Sequence, residues 1–309
     1  MKRQADGFGI ESEGSKMFLS IVTPSYNRAH TLPKCYESLL SQTDYDFEWI
    51  IVDDGSSDNT KEIAQTFMDN GNFPVRYFHK DNGGKHTALN LGFAVAKGEL
   101  SMVLDSDDQL LPDAVEIIRK LWRKYARQEK IAGMSFLKCF SDGEVIGDKF
   151  PCDEFISDHI QCRINRGICG DKVEVYRTEV LRKYPFPVFE GENFMGESVL
   201  WNRIANDYQT VYVNRKIYMC EYLQGGLTKL GRGLRIKNPL GGMMASNIQL
   251  AAKTNVKNKI KQGLLYNCYG FFAKKKPLEI IRSSNSMLFS LLLLPGGYFL
   301  YRYWKKKYG

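Results

Sequence analysis

Residues 18–125 alternate short apolar runs with segments of helical spacing, and most of the apolar runs end in a cluster of polar residues. No other feature of the chain restricts its fold as much, because strands joined by helical crossovers must pair in parallel, with helices covering both faces. Phe18-Leu19-Ser20-Ile21-Val22 reads as a buried strand that stops at Thr23-Pro24, where proline has no N–H to offer a ladder. Thr31 then caps a helix that carries Pro33 in its first turn and runs to about Gln42. A second strand over 47–52 stops at Asp53-Asp54-Gly55, a helix follows over 59–68, and 75–79 is a third strand. After the Gly83-Gly84 turn, Ala88, Leu91 and Val95 mark a helix. A fourth strand, 100–104, ends in Asp105-Ser106-Asp107-Asp108, and Pro112 opens a helix reaching about Tyr125.

The second half is mixed. A strand is expected over 132–140, with a turn at Asp142-Gly143. Helices are expected over 178–183 and 197–205, and strands over 210–213 and 217–222. After Gly225 the chain is rich in Gly and Lys and turns helical from about Met243, and no internal repeat is present. Residues 1–16 are polar, without the apolar stretch of a secretory signal, and read as a loose tail. A chain of 309 residues accommodates one large α/β domain with an appendage.

Ligands on parallel sheets collect beyond the carboxyl ends of the strands, so the polar clusters there are the first functional signal. Asp105 and Asp107 stand at i and i+2 after a buried strand, where two carboxylates can converge on one hard cation. A diphosphate adds negative charge, and two like charges at 4 Å repel by about 4 kcal/mol at an effective dielectric near 20, so a cation between them follows. A solvated turn before the next helix is the other account of the same acids. Asp53 and Asp54 can accept from a base or ribose, though an ordinary Asp-Gly turn explains them equally. Asn82-Gly83-Gly84-Lys85-His86 sets a turn and a cation before a helix N-terminus, which suits a phosphate. Asp171, in Gly170-Asp171-Lys172, is a candidate sugar ligand or a plain turn residue. Lys229, Arg232 and Arg235, after Gly225-Gly226, suggest a mobile basic lid over a diphosphate.

Four of these stretches occur in the order seen in family 2 of the inverting glycosyltransferases, which the chain resembles: Ser20-Ile21-Val22-Thr23-Pro24-Ser25-Tyr26-Asn27-Arg28, Ile50-Ile51-Val52-Asp53-Asp54-Gly55-Ser56-Ser57-Asp58, Asn82-Gly83-Gly84 with Ala88 and Asn90, and Leu104-Asp105-Ser106-Asp107-Asp108. The match covers about residues 18–125, more loosely to about 230. The resemblance implies an α/β GT-A fold, a Rossmann-like mixed and mostly parallel sheet flanked by helices, with a C-terminal helical extension. It implies a catalytic domain over 17–235, its nucleotide-sugar half at 17–125 and its acceptor half at 126–235, and an extension over 236–309. By the same resemblance Pro24 and Tyr26 line the nucleotide pocket, Asp54 contacts the uridine of a UDP-sugar donor, and Lys85 lies near the donor. Asp105 and Asp107 match the DxD motif that binds the nucleotide-sugar with Mn2+ or Mg2+, Asp107 being favoured as the direct ligand. Inverting transfer needs a base for the acceptor hydroxyl. The family's acidic motif falls here on Glu197, followed by Ser198 where a second acid is common, and Glu190 and Glu192 are rivals.

Residues 287–301 are apolar but interrupted by Pro295-Gly296-Gly297, too short and broken for a spanning helix of about 20 residues. Trp304 and Lys305-Lys306-Lys307 follow, which suits a headgroup layer and a peripheral place on the cytoplasmic membrane face. A helix packed on the domain is the other account. A formal charge of +8 draws anions such as nucleotides, acidic lipids or nucleic acid; the resemblance implies a nucleotide-sugar donor and, with the basic amphiphilic tail, a glycan or lipid-linked acceptor of surface polysaccharide synthesis, with no nucleic acid. The seven cysteines form no close CxxC pair and the four histidines are scattered, which argues against a zinc site. A sugar nucleotidyltransferase would show a basic Gly-rich loop after the first strand and a dehydrogenase GxGxxG, yet that position reads Pro24-Ser25-Tyr26-Asn27. A basic binding protein without catalysis would not need acids at successive strand ends.

Overall fold

A computed structural model gives the fold of residues 17–220 and 227–308, the side chains of 227–230 excepted. The first part alternates as expected: β1 (Leu19–Ser25), α1 (Leu32–Leu40), β2 (Phe47–Asp53), α2 (Thr60–Asn70), β3 (Val75–His79), α3 (Lys85–Val95), β4 (Leu100–Val103), β5 (Gln109–Leu110) and α4 (Ala114–Tyr125). The second part holds β6 (Ile131–Cys139), β7 (Phe155–Ser157), a π-helical stretch Ile160–Asn165, β8 (Lys172–Arg177), α5 (Thr178–Lys183), α6 (Ser198–Ile204) and β9 (Gln209–Met219). Five helices follow: α7 (Leu227–Lys237), α8 (Pro239–Ala251), α9 (Val256–Phe272), α10 (Pro277–Arg282) and α11 (Met287–Tyr308).

Among the described residues nine strands form one sheet in the order β3-β2-β1-β4-β8-β6-β9-β5, with β7 also paired to β9. The strands β1 to β4 run parallel, β8 runs against both β4 and β6, and β6 and β9 are again parallel. This is the mixed, helix-flanked sheet with a helical C-terminus that the family resemblance implies. Residue parity decides the two faces: Trp49 and Ile51 join one core with Tyr36, Phe67 and Trp122, whereas Ile50 and Val52 join another with Leu89, Phe93 and Trp201. A buried carboxylate ties the sheet to the turn before β4. Glu48 accepts from Ser20 Oγ at 2.6 Å and from the Lys97 N–H at 2.5 Å, and pairs with Arg76 at 2.9 Å.

Several local expectations are corrected. The strand β1 runs past Pro24 to Ser25, paired with Asp53 of β2. The Leu104 N–H bonds the Val22 carbonyl and the Asp54 N–H bonds that of Ser25, so the missing N–H of Pro24 faces β4, which has ended at Val103. Thr31 precedes α1, but its hydroxyl donates back to the Arg28 carbonyl at 3.3 Å instead of capping the helix. The two strands expected over 210–222 are a single bulged strand, β9, within its described part. The helix after Pro112 begins at Ala114, with β5 before it, and α8 begins at Pro239, not Met243. Neither β7 nor β8 was expected. All seven cysteines are free thiols.

Pro295-Gly296-Gly297 does not break the C-terminal segment, and α11 continues through it. The glycines serve close packing on α9: a Cβ on Gly297 would lie 2.4 Å from Asn267 Cβ, and one on Gly263 2.5 Å from Leu293 Cδ1. Buried Asn267 donates to the Ser290 carbonyl at 2.9 Å and accepts from its hydroxyl at 2.7 Å. Among the described residues no helix is long and apolar enough to cross a membrane.

His159, 6% exposed before the π-helical stretch, has its proton affinity pulled down to about 3, by burial first and by Arg163 second. The unfolded chain therefore binds a proton there between about pH 6.5 and 3 that the fold refuses, and that share of stability is lost as pH falls through the window. Urea unfolding of wild type and His159→Gln should show the wild type losing up to about 1.4 kcal/mol per pH unit relative to the variant below pH 6.5. A difference that stays flat from about pH 7 to 4.5 would contradict a buried neutral imidazole.

Candidate active site

Parallel pairing carries the ends of β1 to β4 to one edge of the sheet, and side chains stitch their loops together. Asn27, in the left-handed region at φ 53°, accepts from the Ser57 N–H at 2.8 Å, while its own N–H donates to Ser56 Oγ at 2.8 Å. Against the desolvation of burial, hydrogen bonds from Thr60 and the Ala29 N–H hold the Asp58 carboxyl below the usual carboxylate range. Asp53 accepts from the Ser56 N–H at 2.8 Å and from Tyr77 at 2.6 Å. Pro24 is buried at the end of β1, and Tyr26 just beyond it is 51% exposed.

Asp54 gathers the next loop. Its carboxylate accepts from the N–H of Gly83 at 3.0 Å and of Gly84 at 2.7 Å and pairs with Lys80 at 2.6 Å, so both oxygens already serve the protein. Gly84 sits at φ 90°, and a Cβ there would fall 1.8 Å from the Asn193 carbonyl oxygen. The turn before α3 thus lies against the segment that leads to α6.

Across that contact Lys85 Nζ pairs with Asp105 at 2.5 Å and with Glu197 at 2.7 Å. Against its own burial, Asp105 and then Glu197 raise the Lys85 proton affinity. Against burial of the carboxyl, Lys85 first, then Lys138 and Arg28, hold Asp105 below the usual range. Asp107 lies 3.9 Å from Arg28 of the first loop. Asp108 differs: burial and then the Asp105 charge push it up to about 6, and Cys220 and Lys138 lie 3.4 and 3.9 Å away. The Asp105 N–H donates to Tyr218 Oη at 2.9 Å, and Lys138 Nζ stands 3.9 Å over the Tyr218 ring. The second half of the sheet therefore supports the DxD loop from below.

Residues 20–184 match the family described as Glycosyl transferase family 2. The chain belongs to that family. A glycosyltransferase, GlyG, of Streptococcus pneumoniae serotype 4 is 44% identical over 224 residues, which are 68% of this chain and 73% of that protein. A chondroitin synthase of Pasteurella multocida is 45% identical over 107 residues, 34% of this chain and only 11% of the synthase. The crystal structure of S. aureus TarS residues 1–349 has the same fold at a TM-score of 0.60 and 16% identity, covering 94% of this chain and 92% of that one. A mannosyltransferase from Pyrobaculum calidifontis, in complex with GDP-Man and Mn2+, aligns at a TM-score of 0.56 and 15% identity over 93% of this chain and 83% of its own. The fold is GT-A, and the protein is a glycosyltransferase.

The glycosyltransferase separates the three acids that the sequence leaves open. Glu192 accepts from the Leu240 and Gly241 N–H groups at 2.6 and 2.8 Å, so it caps α8. Glu190 is exposed, and Glu197 alone of the three pairs with Lys85. Asp171 is exposed at the start of β8. The basic lid is corrected in part. Arg232 stacks over Trp304 at 4.5 Å and Arg235 lies near Tyr269, so both face the helical extension, while 221–226 and the Lys229 side chain lie outside the described residues. Sequence reasoning gave no role to Lys80, Lys138 or Tyr218, whose places depend on strand register.

Gly84→Ala puts a methyl group into the Asn193 carbonyl at a backbone angle that suits glycine. A loss of about 2–4 kcal/mol is expected in thermal or urea unfolding, with weakened nucleotide binding. Wild-type stability in this variant would show that the two segments are free to part.

Proposed function

We propose that this glycosyltransferase moves a sugar from a UDP-sugar to an acceptor hydroxyl with inversion, using Glu197 as base. The observation that carries the reading is that Asp105 and Glu197 both pair with one ammonium, Lys85, at 2.5 and 2.7 Å. A donor diphosphate beside Asp105 and Asp107 would put its anomeric carbon within reach of an acceptor held at Glu197. Glu197 takes the hydroxyl proton, the acceptor oxygen attacks the anomeric carbon from the face opposite the diphosphate, and the bond to UDP breaks. Arg28 and Lys85 stand where they can meet the charge of the leaving diphosphate. Exposed Tyr26 offers a ring to the base above buried Pro24, and Asp54 holds the floor of the uridine pocket through the Gly83-Gly84 turn. Structures of TarS with UDP and with UDP-GlcNAc support the choice of donor.

The donor set suits a hard divalent cation, Mn2+ or Mg2+. Asp105 and Asp107 would offer it carboxylate oxygens, being 29% and 22% exposed, and their present partners are themselves cations, Lys85 and Arg28. Two protein carboxylates leave positions for diphosphate oxygens and water, and among the described residues no group of three His, Cys, Asp or Glu gathers as a closed site. When bound, the cation supplies positive charge to the diphosphate.

The acceptor in this reading is a lipid-linked glycan of surface polysaccharide synthesis, met at the cytoplasmic face of the membrane. The side of α11 turned from α9 exposes Leu288 (65%), Leu291, Leu292 (68%), Phe299 (73%) and Tyr303, a continuous helical stripe. Arg302 and Lys305-Lys306-Lys307 close it, and each contributes about 1 kcal/mol of attraction to an anionic leaflet.

UDP release by purified protein over a panel of nucleotide sugars is expected with one UDP-sugar, with Mn2+ or Mg2+, and to stop with chelator. Asp107→Ala should lower it about 100-fold, and Glu197→Gln should lower kcat about 10²–10⁴-fold with UDP affinity kept. Metal-independent release would remove the cation from the reaction, and full activity of Glu197→Gln would remove the base. Flotation with phosphatidylglycerol vesicles should carry the wild type and leave Leu291→Glu/Leu292→Glu/Phe299→Glu behind, since these exposed side chains add nothing to the fold. Equal flotation of both would discard α11 as the contact.

A further inference from the structure

The loop that carries Asp105 and Asp107 crosses from one half of the sheet to the other, and β9 holds its far end. At its start the Leu104 N–H bonds the Val22 carbonyl of β1 at 3.0 Å. Past it, β5 is laid on β9, Gln109 against Met219 and Leu110 against Tyr218. Between these anchors both main-chain polar groups of Asp105 are taken: its N–H donates to Tyr218 Oη at 2.9 Å, and its carbonyl accepts from the Asp108 N–H at 3.0 Å. Tyr218 is fully buried, so close packing keeps its ring from following the loop.

Tyr218 reaches this place through an irregularity in β9. Phe136 of β6 pairs with Val213, yet Lys138, two residues on, pairs with Tyr218, five residues on, across two register shifts. A regular ladder would set Lys138 against Arg215 and leave Tyr218 beyond the end of β6 at Cys139. Extra residues of this kind bend a strand and re-aim a side chain, and they recur next to active sites. Here they bring Lys138 Nζ to 3.9 Å over the Tyr218 ring and to 3.9 Å from the Asp108 carboxylate. A largely desolvated ammonium on an aromatic face adds to the hold on the ring. Cys220 Sγ lies 3.4 Å from the same carboxylate, so the last acid of the loop is fixed as well as the first.

We propose that Tyr218 is a positioning residue for the donor's cation, its hydroxyl fixing the Asp105 main chain so that both carboxylates of the DxD loop face one ion. The carboxylates themselves meet only the ends of long side chains, Lys85 and Arg28, which follow the loop wherever it lies. A buried ring on a sheet strand does not. The role rests on the reading of Asp105 and Asp107 as the cation's ligands.

The test is calorimetric titration of UDP into the full chain, with Mn2+ and with chelator, for wild type, Tyr218→Phe, Asp107→Ala and the double variant. Phenylalanine keeps the ring under Lys138 and removes only the oxygen that receives the Asp105 N–H, so the variant keeps the fold. Its UDP affinity in Mn2+ should fall about tenfold or more, as for other groups that orient metal ligands, with the affinity in chelator unchanged. In the Asp107→Ala background, where the ion is already lost, the substitution should add nothing. A residue that only held the fold together would lower both affinities alike and would add its loss to that of Asp107→Ala; either result overturns the positioning role. The wild type separates the two readings. UDP bound more tightly with Mn2+, and equally so by Tyr218→Phe, sinks the positioning role alone, whereas UDP bound no more tightly with Mn2+ sinks the cation reading and the positioning role with it.

Discussion

Two carboxylates from opposite halves of the sheet share one ammonium, and the arrangement of the site depends on it. Lys85 opens α3, where a positive charge opposes the helix dipole by some 0.3–1 kcal/mol. Asp105 and Glu197, at 2.5 and 2.7 Å, supply the compensation. Without a cation between them two carboxylates some 4 Å apart would repel by about 4 kcal/mol at an effective dielectric of 20. Lys85 therefore holds the proposed base and the first acid of the DxD loop at a fixed separation, and α3 cannot turn without moving both.

Backbone contact keeps that bridge short. Gly84 lets the turn before α3 lie on Asn193, and Asp54 fixes the turn from the other side by binding two of its N–H groups. The acids next to these two take on different work for reasons of geometry. Asp53 and Asp58 tie loops together, Glu192 caps α8, and Asp108 is buried against Cys220, which leaves Asp105, Asp107 and Glu197 on the open side. Identity as a carboxylate says little here, and the partner decides the function.

The helical extension shows the same division. Its inner face is closed by glycines and by the Asn267–Ser290 pair, and Arg232 stacks over Trp304. Its outer face leaves leucines and Phe299 exposed beside a run of lysines. An apolar stripe of this kind has no stabilising role in the monomer, so its meaning lies in what covers it.

The alternation of apolar runs by itself determined the parallel half of the sheet, because a buried strand and an amphipathic helix each declare themselves within ten or so residues. It also put Asp105, Asp107 and Lys85 at strand ends and helix starts, where their chemistry is readable. Lys172-Val173-Glu174-Val175-Tyr176 alternates as a strand should, and β8 was legible there although its polar face hid it. Two-residue β5 carries no period at all. Only the tertiary structure decided that Tyr218 lies beneath Asp105 and that Glu197 and not Glu192 meets Lys85. Each of these depends on which distant strand or helix becomes the neighbour, and such pairing is set by burial summed over the whole sheet, which no local stretch of sequence contains.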